Sequence, residues 1–229
     1  MKIHNEFNQN SLEWLVARAG VVTASECDSL FTGKMEPRKG QMPTTYLAQK
    51  LAEKWIGGPL PGYQTLEMDF GKILEEEALP FYEFTFNEPI QRVGLITTDD
   101  GKMGCSPDAL IGLDGGLEAK CPNPDTHVKY LMADCLPEIY APQVFVSLFV
   151  TGRKWWRFMS YRRRFPAYVT TVERDEKVNA VIEDTLLAFC ERLDAGFKRL
   201  CEMNGGPPFR AAAPQPQRAF AADDSDIPT

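Results

Sequence analysis

The chain has little of what a metal-thiolate, secreted or membrane protein requires. It holds only two histidines. Its six cysteines, Cys27, Cys105, Cys121, Cys135, Cys190 and Cys201, are scattered with no C-x-x-C pair. Structural zinc takes four closely spaced N/S ligands, so a zinc site is not expected, and free thiols in a reducing cytosol are. No apolar run approaches the ~20 residues of a membrane span. The N-terminal Met1-Lys2-Ile3-His4-Asn5-Glu6 lacks the apolar core of a secretory leader. Internal repeats are absent. Positive charge is also short: the net charge of −7 argues, as an average, against a nucleic-acid partner.

The average hides a local excess. Gly152 to Pro166 carries Arg153, Lys154, Arg157, Arg162, Arg163 and Arg164 and no acid. Basic side chains among aromatics suit a phosphate backbone passing over a sheet edge; a solvated strand and turn beside an acidic helix fits the same residues. At 229 residues, the chain suits one domain over 1–204. Beyond it a Pro/Ala-rich, acidic-ended stretch, 205–229, reads as a flexible tail.

Helix signals open the chain. Ser11 to Ala19 has an N-cap serine and a stop at Gly20. Thr23-Ala24-Ser25-Glu26 is a capping box that predicts a second helix to about Phe31. The free N–H groups there, Ser25 and the preceding Arg18 could take a terminal phosphate, although an ordinary capped helix fits too. Residues 32–43 read as a basic loop, Thr44 to Trp55 as a helix stopped by Gly57, and Leu66 to about Phe84 as a helix kinked at Pro80. On that last helix Glu75 shares a face with Ala78, Leu79 and Tyr82. A carboxylate on an apolar face needs a partner or a cation.

Strands follow, over Pro89–Thr97, Met103–Ile111 and Leu117–Cys121, with a hairpin turn at Asp99 to Lys102. A short helix is expected at Asp125–Ala133. Glu138–Val150 is apolar nearly all round and so buried; length and the Gly152 stop favour a helix, inside which Gln143 must find a partner. Two more strands, Lys154–Tyr161 and Tyr168–Glu173, precede a long amphipathic helix from Asp175 to about Met203. Helices flanking a central mixed sheet make an α/β fold.

The stretch with the most chemistry runs from Cys105 to Pro122. It reads as a hairpin about an Asp114-Gly115-Gly116 turn. Strand residues two apart share a face, so Glu118 and Lys120 point the same way, and Asp108 can converge on them. Two hard oxygen ligands beside an ammonium could hold Mg²⁺ and set a water against a phosphate. A surface Glu/Lys pair on an exposed hairpin fits those three residues equally.

Five blocks in order resemble the lambda-type phage exonucleases, the YqaJ-like viral recombinases of the restriction-endonuclease-like nuclease superfamily. They are Trp14 and Arg18 with Gly20-Val21-Val22-Thr23-Ala24-Ser25-Glu26; Phe70-Gly71-Lys72 with Glu75; Cys105-Ser106-Pro107-Asp108 with Gly116-Leu117-Glu118-Ala119-Lys120-Cys121-Pro122; Tyr140-Ala141-Pro142-Gln143-Val144; and Glu173-Arg174-Asp175-Glu176. They span roughly residues 14 to 190. Phe145 departs from the pattern where the family can carry a second glutamine, and the tail has no counterpart.

The resemblance implies a restriction-endonuclease-like core and a Mg²⁺-dependent 5′→3′ exonuclease on linear double-stranded DNA. It would release 5′-mononucleotides and leave a 3′ strand for a single-strand annealing protein. It also implies two Mg²⁺ ions, with Mn²⁺ as a substitute, a toroidal homotrimer, and a phage or prophage protein of the bacterial cytosol. Asp108, Glu118, the Ala119 carbonyl and Glu75 would serve the metal, Lys120 the attacking water, and Gln143 the order of the site. Arg18, Ser25 and Ser106 would form the 5′-phosphate pocket, with Met68 as a wedge in the end base pair. A metal-dependent endonuclease or repair nuclease on the same fold, and a non-catalytic DNA-end-binding protein, are the alternatives.

Overall fold

The computed structural model describes residues 1–61 and 66–208, without the side chains of residues 66–73 and 75. Among the described residues six α-helices, α1 (Leu12–Arg18), α2 (Gln41–Ile56), α3 (Leu66–Phe86), α4 (Pro124–Ala133), α5 (Ala141–Thr151) and α6 (Glu176–Met203), flank two mixed sheets. The strands are β1 (Lys2–His4), β2 (Val22–Thr23), β3 (Ile90–Gln91), β4 (Leu95–Thr97), β5 (Met103–Cys105), β6 (Ala109–Ile111), β7 (Gly115–Lys120), β8 (Trp155–Ser160) and β9 (Tyr168–Glu173). One sheet has the order β1-β4-β5-β2 and the other β3-β6-β7-β8-β9, with β2·β5 and β7·β8 parallel and the other pairs antiparallel.

Two sheets rather than one correct the expected strands. The run 89–97 divides into β3 and β4, and 103–111 into β5 and β6, and each break carries the chain from one sheet to the other. Pro107 sits in the second break, where its missing N–H cannot continue a ladder. The 3-10 turn at Ala24–Ser29 replaces the α-helix expected after the capping box. Thr23 makes no side-chain cap; its hydroxyl donates instead to Glu26 Oε2 at 2.6 Å, and Lys50 holds that carboxylate at 2.7 Å. Both partners of the box are therefore spent on each other and on α2.

The hairpin turn also moves, to Gly112–Asp114, with Gly112 at φ 51°. Gly115 and Gly116 lie inside β7, paired with Trp155 and Trp156 of β8. The two indoles lie over these glycines, so an added Cβ at either would overlap a ring. The glycines serve close approach, not the turn. Arg153, 8% exposed, closes the turn by donating to the carbonyls of Ile111 (3.3 Å), Gly112 (3.0 Å) and Gly115 (2.5 Å).

The helix ends follow the sequence more closely. Ser11 caps α1 by accepting from the Trp14 N–H at 3.2 Å, Asp175 caps α6, and Gly57 and Gly152 end α2 and α5 in the left-handed region. Helix α2 starts at Gln41, earlier than Thr44, with Pro43 in its first turn where no N–H is needed. Helix α5 is buried along most of its length, with Val144, Val146, Leu148 and Val150 in the main core beside Trp156, Ile182 and Leu186. No disulfide joins any of the six cysteines. Burial pushes the Cys27 and Cys105 thiols well up, which leaves them poor nucleophiles. Among the described residues no helix is long and apolar enough to cross a membrane. Most of the expected tail, residues 209–229, lies outside the described residues.

Gly116→Val would force a branched side chain against the fully buried Trp156 ring. Overpacking of this kind costs about 1–3 kcal/mol or more, and urea denaturation with tryptophan fluorescence should show that loss.

Candidate active site

Strand β7 presents Glu118 and Lys120 on one face, as their spacing requires, and the Lys120 ammonium lies 2.6 Å from Glu118 Oε1. Glu118 is 2% exposed. From α5, Gln143 Nε2 donates to the same oxygen at 2.5 Å, so the polar residue expected inside a buried helix has its partner. Asp108, in the break before β6, accepts the Ala119 N–H on Oδ2 at 2.7 Å. That bond sets the aspartate against the backbone between Glu118 and Lys120. Tyr140 lies under the lysine, with its ring centre 5.6 Å from Nζ.

One atom of this group lacks a partner: Glu118 Oε2 is buried with no hydrogen bond. A buried carboxylate oxygen left unsatisfied costs about 1–3 kcal/mol or more, so its retention calls for a cation or a water. The other nearby donors, the Asp108 carboxylate and the Ala119 carbonyl, are the hard oxygens a Mg²⁺-type ion prefers. These residues fit a divalent cation. Among the described residues no cluster of three His, Cys, Asp or Glu side chains could hold a metal; the Glu75 side chain, expected to be a further acid here, lies outside the described residues, as does that of Met68. A cleft of about 520 Å³ opens onto Asp108, lined among others by Asn8, Gln9, Asn10, Glu76 and Arg92.

The second expected group forms around Trp14. Arg18 Nη2 donates to Ser25 Oγ at 2.8 Å and to Thr23 Oγ1 at 3.1 Å. Its guanidinium carbon stands 4.1 Å from the Trp14 ring centre, and the Trp14 N–H reaches Ser106 Oγ at 3.1 Å. Arg18 and Ser25 are thus in direct contact, and Ser106 is joined to them through Trp14, with Ser25 exposed and Arg18 half-buried. Burial pulls the Arg18 pKa down from its usual range, against the opposing charge of Glu26. An anion at this point would offset that cost. No helix dipole takes part, because the segment after Thr23 is only a short 3-10 turn.

Sequence reasoning missed the support for Arg18. Lys50, 2% exposed, bridges Glu26 (2.7 Å) and Glu53 (2.8 Å), and Glu53 also accepts the Gly20 N–H at 3.0 Å. The signal was present in α2 as a Lys/Glu pair at i and i+3, but its burial was not visible. The arginine-rich run, by contrast, spends much of its charge internally. Arg153 closes the hairpin turn, Lys154 pairs with Asp114, Arg157 with Glu88 and Tyr82, and Arg163 with Glu77. Of the two readings left open for this run, a phosphate-facing edge and a solvated strand and turn, these pairings favour a structural role for four of its six cations.

Comparison with known proteins gives a consistent picture. The family model of the YqaJ-like viral recombinase domain matches residues 13–154. No curated protein matches the sequence. Among solved structures the chain is similar to an alkaline exonuclease (LHK-Exo) from Laribacter hongkongensis. Identity is 30%, with 85% of this chain and 98% of that chain covered and a TM-score of 0.76. LHK-Exo in complex with dAMP is similar at 31% identity, with the same coverage and TM-score. A phage related exonuclease from Haemophilus somnus 129PT shares the fold at 11% identity, covering 79% of this chain and 96% of its own with a TM-score of 0.60.

The buried network supplies a stability test. Removing one partner of a buried ion pair costs about 3–5 kcal/mol, so Lys50→Met should show a loss of that size in urea at neutral pH. Burial alone would raise the Glu26 pKa, but Lys50, Thr23 and Arg18 together bring it below its ordinary 4.5. A depressed carboxylate contributes fully above its unfolded value and loses that contribution as pH falls through the folded one. Urea midpoints should therefore drop on acidification below 4.5, and drop less steeply in Glu26→Gln.

Proposed function

The chain belongs to the YqaJ-like viral recombinase family, and from that membership we propose that it is a divalent-metal-dependent exonuclease digesting one strand of linear double-stranded DNA from the 5′ end. The observation that carries this reading is the buried Glu118 carboxylate, with one oxygen held and one left over, set beside Asp108 and Lys120. Further support comes from the likeness to LHK-Exo, named as an alkaline exonuclease and seen with dAMP, a mononucleotide of the kind such a reaction releases.

Asp108, Glu118 and the Ala119 carbonyl would hold Mg²⁺, as two ions or with Mn²⁺ in its place, and Glu75 would stand close by. When bound, the cation polarises a phosphoryl oxygen and makes a bound water more acidic. Lys120 orients the attacking water and offsets the charge that develops on the phosphate. Gln143 holds Glu118 by Oε1, so that Oε2 remains for the ligand. Water oxygen bonds to phosphorus as the P–O3′ bond breaks. The terminal nucleotide leaves with its 3′ oxygen protonated, and the phosphate stays on the shortened strand. Every cut thus regenerates a 5′-phosphorylated end, which Arg18, Ser25 and Ser106 would take up while Met68 parts the end base pair. The remaining 3′ strand would pass to a single-strand annealing protein, and a homotrimer around the duplex would keep the enzyme on its track. Backbone contacts suffice for digestion without sequence preference.

A timed digest of linear duplexes labelled at the 5′ or 3′ end, with and without Mg²⁺, tests this directly. The 5′ label should be released early as a mononucleotide, only with the metal, and closed circular DNA should survive. Digestion of closed circles at a comparable rate would favour an endonuclease instead. Lys120→Ala should lower the rate by about 10²–10⁴-fold; an unchanged rate would refute its assigned role. Arg18→Ala removes a charge-assisted contact of about 1.5–3 kcal/mol, so it should slow digestion of 5′-phosphorylated ends at least about tenfold and barely affect 5′-hydroxyl ends.

A further inference from the structure

We propose that Trp14 is a positioning residue that sets the spacing between the terminal-phosphate site at Arg18 and the carboxylate at Asp108. The proposal rests on reading the chain as an exonuclease that starts at a phosphorylated end. A buried tryptophan is ordinarily a core residue, and Trp14 is 7% exposed. Its contacts, however, go to the two halves of the site. One face stacks on the Arg18 guanidinium at 4.1 Å. The indole N–H is shared between Gly94 O at 3.0 Å and Ser106 Oγ at 3.1 Å. Ser106 lies two residues before Asp108, within the break where the chain passes from β5 to β6, and Gly94 lies in the matching break between β3 and β4.

A second residue secures the same place. Gln9 Nε2 donates to Val93 O at 2.9 Å and to Pro107 O at 2.8 Å, so both breaks are tied to the N-terminal segment twice. Gln9 reaches the carbonyl directly before Asp108, and Trp14 reaches the residue before that. Between these ties and Arg18 stands a rigid bicyclic ring with two side-chain torsions. A flexible side chain could touch Arg18 or Ser106, but it would not hold them at one separation.

That separation matters to the chemistry. Successive phosphates of a strand are a nearly constant distance apart, and each cut leaves the same 5′-phosphate. An end anchored at Arg18 therefore presents its next phosphate at one place, and the carboxylates must be there. Misplacement by about 1 Å can cost 10²-fold in rate. The indole touches Arg18 on one side and, through its N–H, Ser106 on the other.

The test uses the full chain with site 14 carrying benzothienylalanine, which keeps the indole's shape but has sulfur for N–H. Trp14→Phe serves as a second variant, and thermal unfolding is followed for both. Single-turnover rates are measured with Mg²⁺ on linear duplexes bearing 5′-phosphate or 5′-hydroxyl ends. The expected result is a fall of about tenfold or more on 5′-phosphorylated ends with less than about a twofold change on 5′-hydroxyl ends, so that the preference for phosphate collapses. Combined with Arg18→Ala, the substitutions should add little further loss, because the two residues act as one unit. Equal loss on both kinds of end would overturn the proposal, since the indole would then serve only the fold. Wild-type rates and preference in both variants would overturn it as well. Failure of the unsubstituted protein to digest any duplex would refute the exonuclease reading itself, and that result is visible before any substitution is compared.

Discussion

A carboxylate in the middle of a sheet is expensive to keep, and Glu118, 2% exposed, is the group around which the structure compensates. Withdrawing such an ion from water costs several kcal/mol unless neighbours repay it. Lys120 and Gln143 repay it at Oε1, from the same strand and from α5. Helix α5 can supply Gln143 because most of its remaining surface is buried, with Val144, Val146, Leu148 and Val150 in the main core, which fixes the helix against the sheets. The residue after its Gly152 cap is Arg153, whose guanidinium closes the turn leading into β7. Both ends of one helix thus hold the hairpin that carries Glu118, and a site with so little freedom can keep an unsatisfied Oε2 in place.

The second constraint is the pair of breaks at residues 92–94 and 106–108, where the chain changes sheets. Strand pairing cannot hold these segments, so side chains do. Gln9 and Trp14 take the carbonyls of Val93, Gly94 and Pro107, and the Ala119 N–H takes the Asp108 carboxylate. The proposed phosphate pocket would rest on the same device, with Arg18 stacked on Trp14 and linked through Thr23 and Glu26 to the buried Lys50 and Glu53. An acidic protein can serve DNA under these conditions, because a few cations are placed by burial while many of the rest are neutralised on the spot.

Local signals were legible where local physics decides. Ser11, Asp175, Gly57 and Gly152 marked helix ends because capping and left-handed residues act within one turn. The period of two placed Glu118 and Lys120 together, and the apolar run expected as a helix over 138–150 is one from Ala141 on, with a partner for Gln143, while Glu138 and Ile139 stay exposed in a 3-10 turn. Misreadings arose where a distant residue claimed a local signal. Asp114-Gly115-Gly116 looks like a turn, but Trp155 and Trp156 require those glycines inside a strand. Thr23 and Glu26 look like a capping box, but Lys50 draws the glutamate away. The basic run left a phosphate-facing edge and a solvated strand and turn both open, and Glu88, Glu77, Asp114 and the hairpin carbonyls take up four of its six cations.

By itself the sequence determined the α/β class, the helix ends that carry a cap and the residue types of the candidate site, because these follow from periodicity, capping and the donor chemistry of each side chain. Only the tertiary structure decided that the strands divide into two sheets, that Glu118 is buried with one oxygen unpaired, and that Trp14 stands between Arg18 and Ser106. Trp14 lies 80 residues from Gly94 and 92 from Ser106 in the chain. Contacts at such separations depend on packing that no local pattern encodes.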